Sequence, residues 1–401
     1  MMKKMWRLTP LAMTLAAFGA QAQSAGDSAF SFSGFATLGV VSTNTDLAQY
    51  AIPGQPRGAD KSISGEVDSK VGVQLTGKAN SMFSGTVQVL SKQNGDGNFR
   101  PEFEWAFAKA QVLPSLAFRL GRMGGPFFAV SDFRDVGYAN TWLRPPTDVY
   151  GQVSFSHFDG ADGSYQTSIG SASLTAQLFG GKSTATFTKV PLKYENMVGV
   201  NTTLELDGGI TLRFGHVQGK LTVDSVALAG LVSVLRSTPF ASVGNEFDPT
   251  RKKATFTGLG AAYDSGNLIL NAEYTMRRTE SYVPDTDGWY ATLGYRVGKF
   301  TPYATLSKLK QVDSNVVNTV PAAPSPYAPL KSAVDDTLAS QTRNQKTSAL
   351  GVRWDAYRNV ALKAQYERVT PNGPGLFIPI QAGFGTGASV NVYSLAVDLV
   401  F

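Results

Sequence analysis

Strict alternation of apolar and polar residues, repeated in many segments, constrains the fold of this sequence more than any other feature. In the last segment, Tyr393 and Leu395 share one parity, whereas Ser394 and Asp398 share the other. Successive side chains of a β-strand point to opposite faces, so such a segment has one apolar and one polar face. The same pattern recurs at 102–107, 267–277 and 350–355. The chain is therefore predicted to be built from strands rather than helices.

Segments of about ten to fourteen residues with this pattern are typical of a membrane barrel with an apolar exterior and a polar interior. An even number of strands would place both termini at the same rim. A barrel of about sixteen strands is wide enough for a water-filled channel. The predicted strands lie near 28–41, 63–78, 82–93, 100–112, 116–123, 152–169, 172–181, 193–206, 209–220, 251–264, 267–280, 288–298, 300–311, 345–357, 359–370 and 388–401.

The connections between these strands alternate in length. Short turns rich in Gly, Asn, Asp and Pro lie at 79–81, 113–115, 170–171, 207–208, 265–266, 298–299 and 358–359. Mostly longer loops separate them, at 42–62, 124–151, 221–250, 312–344 and 371–387. Short periplasmic turns and long external loops are typical of outer-membrane barrels. A soluble β-sandwich would turn its apolar face inward and would not predict this alternation. We therefore predict an all-β, transmembrane antiparallel barrel of about sixteen strands.

The composition excludes several functional classes. Mean hydropathy is −0.08, which is low for a helical membrane protein. With 43% hydrophobic and 11% aromatic residues the chain is not expected to be disordered. It has no cysteine, and only His157 and His216 could supply imidazole. Disulfides, thiolate metal sites and cysteine nucleophiles are therefore excluded, and we expect no metal and no cofactor.

Residues 1–22 have the features of a cleaved secretory signal peptide. Lys3, Lys4 and Arg7 precede a short apolar stretch, and a small-residue site ends at Ala22. The predicted mature domain is 23–401. Loss of three of the 36 basic residues, against 30 acidic ones, lowers the net charge from +6 to +3. The basic balance is thus weak evidence for an acidic partner, and no nucleic-acid partner is expected.

The connection after the fifth predicted strand is the best candidate for a functional loop. It combines aromatic residues with the charged residues Asp132, Arg134, Asp135 and Arg144. Folding the loop into the barrel would bury its aromatic side chains, which are Phe127, Phe128, Phe133, Tyr138 and Trp142. It would also project the four charged side chains into the channel, where fixed charges select ions. We predict that this loop constricts the pore; packing for stability alone is the alternative.

The signal, the sixteen-strand pattern, the loop after strand five and the terminal Phe401 together resemble the Gram-negative general porins. The alternating last strand that ends in Phe401 resembles the assembly signal of that family. The resemblance implies an outer-membrane homotrimer in contact with lipid and lipopolysaccharide, which passes small hydrophilic solutes and ions. It also implies acids on the loop, matched by Asp132 and Asp135.

The facing pore wall of the family carries bases. Loose matches for these are Lys70, Arg119 and Arg353, and Glu104 is a further predicted wall charge. Arg134 and Arg144 depart from the pattern by placing positive charge on the loop, so the ion preference stays open. The loop near 94–98, which often latches subunits in the family, is short here, and the apolar run within 221–250 could pack subunits instead.

Other functions remain as alternatives. A substrate-selective channel for phosphate or organic anions would need a one-sided basic ladder, whereas the predicted lumen charges are mixed. An outer-membrane hydrolase would need a nucleophile and a base. Ser156 and His157 are adjacent on a predicted strand and should therefore point to opposite faces, which would prevent a direct hydrogen bond. An adhesin or receptor barrel is a third possibility, which would require the long loops to close the pore.

Overall fold

The computed structural model describes residues 29–313, 316–381, 384, 385, 387 and 389–401. The predicted signal peptide lies outside these residues. The described chain forms a closed antiparallel barrel in which each strand pairs with its neighbours in sequence and the last pairs with the first. The sixteen barrel strands are β1 (Phe30–Thr43), β2 (Lys70–Lys78), β3 (Phe83–Lys92), β4 (Glu102–Leu113), β5 (Leu116–Gly124), β6 (His157–Ile169), β7 (Ala172–Phe187), β8 (Val190–Leu206), β9 (Ile210–Val223), β10 (Lys252–Ser265), β11 (Leu268–Thr279), β12 (Asp285–Tyr295), β13 (Phe300–Asp313), β14 (Asn344–Tyr357), β15 (Val360–Asn372) and β16 (Val390–Val400).

The sixteen predicted strands are confirmed, with three notable differences at their ends. β2 begins at Lys70 rather than 63, because Ser64 instead bridges Val41 outside the ladder. β6 begins at His157 rather than 152. β7 and β8 run on past their predicted ends and meet in a two-residue turn, where Thr188 and Lys189 have φ of 48° and 66°. Two consecutive positive φ values match the twist of a tight hairpin, so no long loop is needed there.

The burial pattern of the strands is the reverse of that in a soluble protein. Large apolar side chains such as Leu120, Leu178 and Leu350 are 68%, 64% and 62% exposed on the outer face. Polar side chains such as Thr37 and Asp398 are buried on the inner face. An outer surface of this kind is stable only in contact with hydrocarbon, since closing the sheet satisfies its backbone internally.

The four helices among the described residues lie in the long connections. They are α1 (Thr147–Tyr150), α2 (Val226–Arg236), α3 (Ala241–Phe247) and α4 (Ala328–Ser340). Leu228, Val232 and Leu235 of α2 are buried in one apolar cluster with Val243 of α3 and Val334 of α4. One face of the apolar run that could pack subunits therefore packs within the chain, whereas Val226 and Val234 of the same run are exposed. No helix of the described part is long and apolar enough to cross a membrane.

Candidate functional site in the barrel lumen

Residues 125–156, here called the inner loop, connect β5 to β6 and lie inside the barrel. Two short 3₁₀ turns, Ser131–Phe133 and Gly137–Ala139, precede α1 in this loop. The backbone of Ala129 donates to Glu273 of β11 (2.8 Å). Arg213 of β9 donates to the carbonyls of Pro126 (2.5 Å) and Phe127 (3.3 Å). Contacts with inward side chains of opposite strands require the loop to pass through the lumen.

Aromatic packing holds one face of the inner loop against β10 and β12. Phe128 packs edge-on against Phe256 (5.2 Å between centroids), and Trp142 packs edge-on against Tyr290 (5.7 Å). Burial of each such side chain contributes about 1.5–3 kcal/mol. The expected burial of Phe127, Phe128 and Trp142 is observed, whereas Phe133 remains 40% exposed.

Lys363 and Arg353 attach the middle of the inner loop to β15 and β14. Lys363 is fully buried, and its Nζ donates to the carbonyls of Gly137 (2.7 Å), Asn140 (2.7 Å) and Trp142 (2.9 Å) while lying 3.0 Å from Asp398. Arg353 donates to the Tyr138 (2.6 Å) and Asn140 (3.0 Å) carbonyls. Arg353 is thus on the wall facing the loop, as predicted, but it binds backbone carbonyls rather than loop acids. It also pairs with Asp355 (2.8 Å).

Arg144 does not project into the channel, and this expectation was wrong. Its side chain is 3% exposed and forms a bidentate pair with Asp68 (2.9 and 2.6 Å). It also pairs with Glu367 and donates to Ser394 (2.6 Å). Two carboxylates and a hydroxyl satisfy the guanidinium group of Arg144. Arg144 therefore anchors the loop to the connection before β2, to β15 and to β16, and adds no free charge to the pore.

Asp135 is the centre of a cluster that combines loop and wall charges. Its carboxylate lies 2.9 Å from Nζ of Lys92, 3.4 Å from Nζ of Lys70 and 3.7 Å from Nε of Arg134. Burial alone would raise the pKa of Asp135, but these three cations outweigh it and hold the pKa well below its usual range. Three cations therefore surround one carboxylate, which leaves a local excess of positive charge.

Asp132 differs from Asp135 in its surroundings. Within the described part of the chain, it makes no ion pair. Its side chain is exposed in the lumen, yet the surrounding protein partly desolvates the carboxyl and raises its pKa, and the nearby cations Arg119 and Arg213 oppose that rise only in part. Arg119, expected to face the loop acids, instead pairs with Asp162 of β6 and lies over the ring of Phe107 (5.2 Å). Asp132 is thus less firmly ionised than Asp135.

The structure brings Ser156 and His157 together, contrary to our expectation. Ser156 precedes β6, so the rule that neighbouring side chains of a strand point to opposite faces does not apply to it. Its Oγ lies 3.2 Å from Nδ1 of His157. Glu104 Oε2 lies 3.5 Å from the same Nδ1. In a catalytic triad the acid accepts a hydrogen bond from one ring nitrogen and so fixes the tautomer, while the other ring nitrogen takes the proton of the nucleophile. The shared nitrogen therefore does not fit a catalytic triad.

Phe401 lies where the barrel closes. Its backbone N–H donates to Gly34 (3.0 Å), and its carbonyl accepts from the N–H of Gly34 (2.8 Å). A Cβ at Gly34 would lie 2.4 Å from the Phe401 ring, so the ring needs the glycine. Phe401 also packs beside Phe32 (6.3 Å between centroids). In the residues that the structure describes, no group of His, Cys, Asp or Glu could hold a metal ion.

The closed barrel, its apolar exterior and the loop within its lumen define a membrane channel. A family model described as "Gram-negative porin" matches residues 10–398, and the chain belongs to this family. It forms an outer-membrane channel for passive diffusion. Its similarity extends to solved structures. The anion-selective porin of Comamonas acidovorans has 13% identity and a TM-score of 0.55, with 93% of this chain and 99% of that chain covered.

Other solved structures are similar in the same way. OmpF of Salmonella typhi, in complex with daunomycin, has 15% identity and a TM-score of 0.53, with coverage of 93% and 97%. The outer membrane channel DcaP of Acinetobacter baumannii has 11% identity and a TM-score of 0.54, with coverage of 93% and 97%. Identities this low indicate a shared fold. No curated protein matches the sequence.

Proposed function

We propose that the inner loop is the constriction of this channel and selects small hydrophilic solutes and ions by size and charge. The observation that carries the proposal is the attachment of the loop to opposite inner walls, by Arg213 and Glu273 of β9 and β11 on one side and by Lys70 and Lys92 of β2 and β3 on the other. Lys363 and Arg353 attach it to a third part of the wall. A segment fixed across the lumen reduces its cross-section. Loop charges in such a position act on every passing ion.

The charge cluster at the loop favours a preference for anions. Lys70, Lys92 and Arg134 surround the carboxylate of Asp135, and Glu104 is the further acid that acts on Lys92, so the cations outnumber these two acids. Arg144 is neutralised by Asp68 and Glu367. A positive excess at the narrowest point attracts anions. Purified protein in a planar bilayer should give stepwise conductance, and a salt gradient should give a reversal potential of anion-preferring sign. Absence of conductance steps would contradict the channel; a cation-preferring potential would contradict the charge assignment.

A catalytic role is not proposed. Ser156 and Glu104 approach the same nitrogen of His157, which does not support a nucleophile–base–acid relay. Ser156→Ala should therefore leave conductance unchanged, and the wild-type protein should hydrolyse an activated ester no faster than denatured protein does. A hydrolysis rate that depends on Ser156 would support the hydrolase alternative instead.

The outer face of the barrel supports lipopolysaccharide as a partner. Lys308, Lys310, Lys346 and Arg368 point outward near the long-loop ends of β13–β15 and are exposed. Lys308 pairs in register with Lys346 and with the outward-facing Trp289. Within the described residues these four cations have no acidic partner. Cations just above an aromatic belt lie where lipid phosphates are expected.

The lipopolysaccharide contact is tested by substitution of these cations. A Lys308→Gln/Lys346→Gln variant should retain less lipopolysaccharide through detergent washing than wild type, whereas Lys78→Gln, at the short-turn rim, should retain as much. Equal retention by all three proteins would contradict this partner.

We also propose a homotrimer; cross-linking of the purified protein should give a three-chain species, and a monomer alone would contradict it.

A further inference from the structure

A cavity of about 890 Å³ lies between the inner loop and the long-loop rim. Its wall is formed by the upper ends of β7–β11, by residues 151–155 of the inner loop and by the end of α4. This volume is within the range of small-molecule sites, about 300–1,000 Å³. Every solute that enters from the outer rim beside this wall meets the cavity before it reaches the constriction.

The wall of this cavity is apolar, although the inner face of a water-filled barrel is expected to be polar. Phe155, Tyr194 and Phe256 are buried in it, and Phe187 and Leu192 line it further toward the rim. Phe155 and Tyr194 stack at 5.6 Å between ring centroids. Such a surface is unfavourable for a passing inorganic ion and favourable for an apolar solute body.

Two arginines, Arg277 and Arg343, line the same cavity, and their guanidinium groups donate hydrogen bonds to backbone carbonyls. Arg277 donates to the carbonyls of Gln152 (2.9 Å) and Pro284 (3.0 Å), and its Nε has no hydrogen-bond partner. Arg343 donates to the carbonyls of Ser340 (2.9 Å) and Gly375 (3.3 Å). Neutral carbonyls hold each guanidinium in place but leave its charge uncompensated.

The other charges near the two arginines do not cancel them. Asp336 also lines the cavity, but its side chain is exposed to water, which screens it. Asp285, the first residue of β12, acts on Arg277 but is shared, since it also pairs with Arg278 (3.8 Å) and accepts from the backbone of Thr279 (2.8 Å). The cavity therefore combines an apolar wall with a net positive charge.

We infer that this cavity binds amphipathic organic anions, with the carboxylate at Arg277 and Arg343 and an aliphatic or aromatic body on the apolar wall. Arginine binds carboxylates through paired hydrogen bonds. Inorganic phosphate would gain nothing from the apolar surface, so the chemistry favours a carboxylate with an apolar body. The inference rests on the proposed channel, because it names the solute class that the channel concentrates at its mouth.

The first test uses the wild-type protein in a planar bilayer and a series of carboxylates. Acetate, butanoate and hexanoate are added to the long-loop side, and their transient block of the chloride current is measured. The half-blocking concentration should fall with chain length, by up to about fourfold for each methylene that becomes buried. Equal potency along the series would overturn the inference. A protein without any conductance would instead refute the channel itself.

The second test uses variants of the two arginines. The double variant Arg277→Gln/Arg343→Gln should raise the half-blocking concentration of hexanoate about tenfold or more while retaining stepwise conductance. The single variant Arg343→Gln should raise it by a smaller factor. Arg251→Gln is the matched control, since Arg251 is an exposed rim arginine paired with Glu195 (2.8 Å) outside the cavity lining. Hexanamide, which lacks the charge, should block weakly in all variants. Unchanged hexanoate block in the folded double variant would overturn the role of the arginines.

Discussion

At the residue scale, the two loop acids that the sequence singles out have different electrostatic surroundings. Asp135 has three cations within 4 Å, whereas Asp132 is exposed in the lumen and makes no ion pair in the described part of the chain. Sequence alone placed both on the loop but could not separate them, because Lys70 and Lys92, the partners of Asp135, come from β2 and β3. Arg144 was misjudged for the same reason, since Asp68 and Glu367 are remote in sequence.

Asp135→Asn should shift the reversal potential further toward anions. The substitution removes the carboxylate that contacts Lys70, Lys92 and Arg134. A unit charge at a distance of about 8 Å from an ion is worth roughly 0.5 kcal/mol in water, or about twofold in local ion concentration. The measurement is the reversal potential in a KCl gradient. Asp46→Asn, on an exposed acid that pairs with Lys61 at the outer rim, is the control. An unchanged potential would argue against Asp135 at the constriction.

The two acids should also differ in their response to pH. Because the pKa of Asp132 is raised, its charge is lost at a higher pH than that of an ordinary aspartate. The pKa of Asp135 is lowered, so its charge persists into strongly acidic solution. Asp132→Asn should therefore alter the reversal potential at pH 7 and have less effect as the pH falls toward 4. Asp135→Asn should alter it at both. Parallel curves for the two variants would contradict the distinction.

At the element scale, the position of the inner loop depends on a residue that sequence reading did not single out. Nothing in the neighbourhood of Lys363 along the chain marks it as a contact of the loop. In the fold it binds three carbonyls of the loop and Asp398. The loop itself was predictable because its aromatic side chains need burial. Its attachment was not, because backbone carbonyls carry no sequence signature.

Lys363→Met should loosen the inner loop and destabilise the barrel. Removing one member of a buried ion pair leaves Asp398 uncompensated, at a cost of about 3–5 kcal/mol. The double variant Lys363→Met/Asp398→Leu should regain much of that stability but none of the three loop hydrogen bonds. Open-channel current noise should therefore rise in both variants, while the unfolding temperature falls chiefly in the single one. Open-channel current noise equal to that of the wild type in the double variant would show that Lys363 does not hold the loop.

At the scale of the whole molecule, the alternation of residues predicted the barrel because lipid outside and water inside impose it on every strand. The prediction failed where a third environment exists. Tyr194 of β8 and Phe256 of β10 face inward although their rings are largely apolar, since they contact the inner loop and line the cavity rather than facing water or lipid. The alternation of apolar and polar residues cannot predict this third environment, because it assigns each side chain either to lipid or to water.

Closure of the whole barrel should depend on Phe401. Its backbone pairs with Gly34, and its ring occupies the space that the missing Cβ of Gly34 leaves. Loss of this packing in Phe401→Ala should cost about 2 kcal/mol, and Gly34→Val should be worse, because its side chain would collide with the ring. Leu38→Ala is the control, since Leu38 is on the same strand and faces lipid. The measurement is the yield of heat-modifiable barrel after refolding, which should fall in the order Leu38→Ala, Phe401→Ala, Gly34→Val. Equal yields for all three would mean that closure is secured by the β1–β16 ladder alone.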